Sequence, residues 1–154
     1  MPTGVEIVDL ADAIAADLAG VNALPVAVTA SVTFDPSTDL KALEAADRPT
    51  LSIVPRTEID DIDARGVDWD AVREIDIAVR FKLRGSDTSS EIVAGMKLLK
   101  AIGRFYRKRR PTGRTEDLTD VTYQTLWSPT DFKFNRIYFG VVRLSFTPDV
   151  EEDE

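Results

Sequence analysis

A chain of 154 residues that is 44% hydrophobic and free of cysteine and histidine has the apolar material for one buried core, but no thiolate or imidazole with which to do chemistry. Disulfide frameworks, thiolate zinc sites and Ser-His-Asp or Cys-His arrangements are thereby excluded, and an oxygen-only Mg²⁺ or Ca²⁺ site stays open. The 27 acids against 19 bases give a net charge of −8, which opposes wrapping of nucleic acid, a process driven by neutralising phosphates. With no run of about 18 apolar residues and an acidic rather than basic start, the chain reads as soluble and unexported, with no membrane partner.

The first element is a helix over residues 5–19. Thr3 and Glu6 have capping-box spacing, and Ile7, Leu10, Ala11, Ile14 and Leu18 recur on one face with Asp9, Asp12 and Asp17 opposite. From Val26 the period changes to two. Val26, Val28, Ala30, Val32 and Phe34 alternate with Ala27, Thr29, Ser31 and Thr33, the pattern of a strand buried on one face. Residues 39–46 carry a weak helical pattern, and Leu51, Ile53 and Val54 form a short β run that Pro55 is expected to close.

Residues 57–70 are the most acidic internal stretch, with Glu58, Asp60, Asp61, Asp63, Asp68 and Asp70, and read as a solvated loop. A carboxylate cluster of this kind can hold a divalent cation, but the EF-hand order of ligands and glycine is absent. Next comes the cleanest strand, in which Ile75, Ile77, Val79, Phe81 and Leu83 alternate with Asp76, Ala78, Arg80 and Lys82.

Residues 88–114 hold the main anomaly. A Thr88–Glu91 capping box opens a helix whose apolar face is Ile92, Met96, Leu99, Ile102 and Tyr106, flanked by Gly95, Leu98, Gly103 and Phe105. Lys97, Lys100, Arg104, Arg107 and Lys108 form a stripe that Arg109, Arg110 and Arg114 extend, without one acid from 97 to 114. Those eight bases leave 11 against 27 acids elsewhere, a net of −16 outside the stripe.

An irregular linker then leads to a strand with Val121, Tyr123, Thr125 and Trp127 alternating, and a turn around Pro129. The last strand, residues 136–146, has Tyr138, Val142, Leu144 and Phe146 on one face and Ile137, Phe139 and Val141 on the other, as in a doubly covered central strand or an interface. Residues 149–154 read as an acidic, disordered tail following a single domain at 1–148. The predicted architecture is α+β, a mainly antiparallel sheet packed against two amphipathic helices.

Phosphate-binding glycine motifs are missing, isolated Gly103 and Gly140 fit packing roles, and no cofactor or enzymatic activity is expected. The stripe has three readings: a solvated face that also complements the helix dipole, a phosphate contact, or a contact with an acidic surface of a neighbouring copy. In the third, Lys97, Lys100, Arg104, Arg107 and Lys108 meet Glu58, Asp60, Asp61 and Asp63 of the next subunit, a heterologous contact that can close into a ring.

The stretch Thr50-Leu51-Ser52-Ile53-Val54-Pro55-Arg56, the strand at 74–83 and the closing Arg136-Ile137-Tyr138-Phe139-Gly140-Val141-Val142-Arg143-Leu144-Ser145-Phe146 resemble small neck proteins of tailed bacteriophages, the tail-terminator and tail-completion group. The resemblance implies a virion protein, assembled in the host cytoplasm. It implies a hexameric ring at the head–tail junction that meets a head connector or stopper protein and the tail tube protein. Double-stranded DNA would pass through its lumen without specific binding. Other neck layers, a head–tail adaptor, stopper or tail-completion protein, share these expectations. From other classes, a nucleic-acid-binding module would use the basic helix, and a metal-dependent hydrolase would use Asp60, Asp61 and Asp63.

Overall fold

Apolar residues at one strand parity and at helical spacing close on one another in the computed structural model, which describes residues 4–34, 40–59 and 72–148. The elements are α1 (Glu6–Leu18), β1 (Thr29–Val32), α2 (Leu40–Ala45), β2 (Thr50–Ile59), β3 (Val72–Lys82), α3 (Thr88–Arg104), β4 (Glu116–Thr125), α4 (Pro129–Asn135) and β5 (Ile137–Pro148). They form a single α+β domain around one five-stranded sheet in the order β1-β2-β3-β5-β4, antiparallel throughout except for the parallel β1–β2 pair.

Directly opposed residues share a face, so the registers sort the sheet into two sides. On one lie Leu51, Ile53, Ile75, Ile77, Val79, Tyr138, Val142, Leu144 and Phe146, all buried in the main core. Helix α1 covers this side over β1, β2 and β3, and α3 covers it over β5 and β4. The expected helix faces are the ones used, with Leu10, Ala11 and Ile14 of α1 and Leu99 and Ile102 of α3 fully buried. Each such Leu or Ile contributes about 1.5–3 kcal/mol by leaving water.

Gly95 lets α3 reach the sheet. A Cβ there would lie 2.7 Å from the Tyr138 ring, and one at Gly103 would collide with the Tyr123 hydroxyl. Glycine is what brings helix backbone and sheet aromatics into contact, so the packing reading of Gly103 holds.

Several boundaries differ from the sequence pattern, each for a physical reason. The described residues form four helices, where two were expected to pack on the sheet. In α4 a turn signal becomes a short helix because Pro129 occupies a first-turn position and Ser128 Oγ accepts from the Asp131 amide at 3.2 Å. Arg136 ends it in the left-handed region at φ 55°, a place where glycine or asparagine would have signalled a stop. Strand β1 has four residues rather than nine. Thr29 is opposite Thr50, so the ladder would next need an N–H from Pro49, which has none; Val26 and Phe34 stay exposed.

Strand β2, in contrast, runs through Pro55. Its pairing with β1 ends at Ile53, so Pro55 sits where β2 has become a sheet edge, and a bulge follows between Pro55 and Thr57. Helix α3 is capped by Asp87, whose carboxylate accepts from Ser90 N at 3.1 Å. Glu91 instead accepts from the amides of Arg84 and Gly85, at 2.9 and 3.0 Å. The helix ends at Arg104, ten residues short of the basic stretch's end.

Candidate functional site

The end of α3 breaks the basic stripe into parts with different surroundings. Lys97, Lys100 and Arg104 lie on the helix at i, i+3 and i+7, one outward stripe. Lys97 and Arg104 are exposed, while Lys100 lays its ammonium 4.1 Å over the Tyr123 ring of β4. Arg104 makes no ion pair among the described residues, and the same is true of Arg107 and Lys108 in the turn that follows.

That turn is held by a tie to α1. The buried Tyr106 donates its hydroxyl to Asp17 Oδ2 at 2.8 Å, and the Thr112 amide donates to the same oxygen at 3.0 Å. Burial first, and the bond to Asp17 second, push the Tyr106 phenol far above its ordinary pKa. Tyr106 also meets the Phe146 ring edge to face at 5.7 Å. With its ends fixed, the turn forms one wall of a cup of about 530 Å³ lined by Tyr106, Arg107, Lys108, Arg109, Arg110, Asp117 and Leu118. Arg109 stacks 4.4 Å over Phe105, and Arg110 grips Asp117 with two nitrogens at 2.7 and 3.2 Å.

Arg114 belongs to a third setting that the charge pattern did not reveal. Glu116 is 1% exposed, and its Oε2 accepts from Arg73 Nη1 at 3.0 Å and from Arg114 Nη2 at 2.6 Å. Arg73, itself buried, also donates Nε to Glu58 at 3.0 Å, and Arg114 reaches Glu6 at the start of α1. The hydrogen bond to Glu116 is the first cause that holds the Arg114 guanidinium more strongly protonated than usual. The chain Glu58–Arg73–Glu116–Arg114–Glu6 therefore ties β2, β3, β4 and α1 together. A signal was present in the sequence: Arg73 has the core parity of Ile75, Ile77 and Val79.

Of the predicted acidic partners, Glu58 is thus engaged within its own chain, and Asp60, Asp61 and Asp63 lie outside the described residues, as does the 149–154 segment. Among the described residues no group of three carboxylates is gathered for a metal ion, and no helix is long and apolar enough to cross a membrane.

Two largely apolar surfaces complete the description. A groove of about 570 Å³ runs between α3 and the segments flanking β1 and β2, with Val26, Pro49, Phe81, Ala94 and Leu98 in its wall and Lys97 and Arg48 among its lining. On the sheet side away from α1 and α3, Val54, Phe139 and Val141 are half-buried beside Arg80, which stacks 4.7 Å over Phe139. There Arg143 grips Asp76 with two nitrogens, at 2.8 and 3.3 Å. Ala78 and Arg80 on this side of β3 are buried, as is Ile137 beside them.

No protein-family model matches the chain, and a search of curated proteins finds no match.

Proposed function

We propose that the chain is a structural subunit of a tailed-phage neck, a tail-terminator ring that caps the tail tube and docks it to the head connector around an open DNA channel. The observation that carries this reading is the outward row on α3, where Lys97 and Arg104 stand exposed without an ion pair among the described residues, in a protein whose remainder is strongly acidic. One patch facing a different, acidic patch on the next copy is a heterologous contact, and such contacts close into a ring when the rotation between copies permits. Charge complementarity there sets register and orientation more than affinity. The resemblance of residues 50–56, 74–83 and 136–146 to neck proteins supplies the biological setting.

Native mass spectrometry tests the reading. The wild-type chain is expected to form a hexamer, and Lys97→Glu with Arg104→Glu to give folded monomers with an unchanged circular dichroism spectrum. A wild-type chain that is monomeric at every concentration overturns the ring, and a doubly reversed variant that still assembles removes α3 from the interface.

A further inference from the structure

The cup at the end of α3 lies next to the place where the described chain stops. Strand β5 pairs with β4 so that Thr147 is opposite Asp117 and Pro148 opposite Glu116. Asp117 is part of the cup wall and is the residue that Arg110 holds. Adjacent strands are about 5 Å apart, so Thr147 lies one strand spacing from the cup wall and Pro148 one residue beyond it. Beyond Pro148 the sequence continues Asp149-Val150-Glu151-Glu152-Asp153-Glu154, five acids in six residues. Six residues reach about 20 Å when extended, enough to cross the cup.

We propose that the cup formed by Arg107, Lys108, Arg109 and Arg110 is a docking site for a short acidic peptide, and that its occupant is the 149–154 segment of the same chain. The cup already shows the required chemistry, since Arg110 binds one carboxylate with two parallel N–H donors. Arg107 and Lys108 have no ion pair among the described residues, so two full charges remain for a second acidic group. Starting one strand away gives the segment a high effective concentration that no separate peptide matches. Composition alone reads 149–154 as a solvated tail, and the register of β4 on β5 is what supplies it with a partner. Nucleic acid is the competing occupant, and the net charge of −8 disfavours its approach.

Two measurements on the full chain decide the matter. Zero-length carbodiimide coupling followed by peptide mass spectrometry is expected to join Lys108 to Glu151, Glu152, Asp153 or Glu154 within monomers. Links found only in dimers place the segment on a neighbouring copy, and absence of any such link leaves the cup without this occupant; either result overturns the proposal. Replacing the five acids by Asn and Gln should free the cations and raise affinity for a duplex DNA oligonucleotide by about tenfold at low salt. That gain should vanish when Arg107→Ala and Lys108→Ala are added. A gain that survives their removal reflects overall charge alone and counts against the cup, as does wild-type protein binding the DNA as tightly as the neutralised variant.

Discussion

Glu116→Ala is the sharpest probe of how this fold is held. The carboxylate is 1% exposed and serves two guanidiniums, accepting from Arg73 at 3.0 Å and from Arg114 at 3.0 and 2.6 Å. Its removal leaves Arg73, 7% exposed, with Glu58 as its remaining ion-pair partner among the described residues. Breaking a buried pair by deleting one partner costs about 3–5 kcal/mol, because the charge left behind cannot regain water. Since Glu58 and Glu6 still neutralise part of that charge, about 3 kcal/mol is expected. For a domain of this size that lowers Tm by about 6–12 °C.

Removing both ends at once should behave differently. Arg73→Met with Glu116→Leu replaces the pair by apolar groups, and is expected to fall within about 1 kcal/mol of wild type. Equilibrium urea unfolding of the two variants, with thermal scans beside it, makes the comparison. A loss below about 0.5 kcal/mol for Glu116→Ala would refute the reasoning, since surface substitutions stay within that range.

Gly95→Ala tests the approach of α3 to the sheet. Alanine favours the helix by about 1 kcal/mol, but its Cβ would sit 2.7 Å from the fully buried Tyr138 ring, and overpacking costs about 1–3 kcal/mol. A net loss of about 1 kcal/mol is expected in chemical unfolding, and a more stable variant would show that Tyr138 can move aside. Tyrosinate absorbance against pH reads a second consequence of burial. Desolvation pushes the Tyr138 phenol up to about 12 from its ordinary 10. The unfolded chain thus ionises first, and the stabilisation from a neutral Tyr138, complete below pH 10, is lost as pH rises toward 12. Ordinary titration of all three tyrosines in the folded protein would contradict the burial of Tyr138 against α3.

Local periodicity is enough to place the buried faces of α1 and α3 and the strands β3 and β5, because the spacing of Leu10, Ile14, Leu99, Ile102 and of Ile75, Ile77, Val79 is set by helix and strand geometry alone. The α+β class follows from the same alternation. Boundaries are less legible where a neighbouring strand decides them: β1 begins only at Thr29 because Pro49 has no N–H for an earlier rung, and β2 passes Pro55 because only β3 remains beside it there.

The charge pattern divides in the same way. Composition marks residues 97–114 as a basic island, but folding separates it into an outward row on α3, a cup and a buried network. Arg73 and Glu116 are 43 residues apart in sequence, and Tyr106 and Asp17 are 89 apart. No local window contains both members of either pair. The register that brings Pro148 beside Glu116 is likewise a property of the folded sheet. Buried faces and the local excess of charge are written into the chain, since they depend on near neighbours along it. Which charges meet, which are buried and which remain free is settled by packing, which pairs residues across the sheet without regard to their separation in sequence.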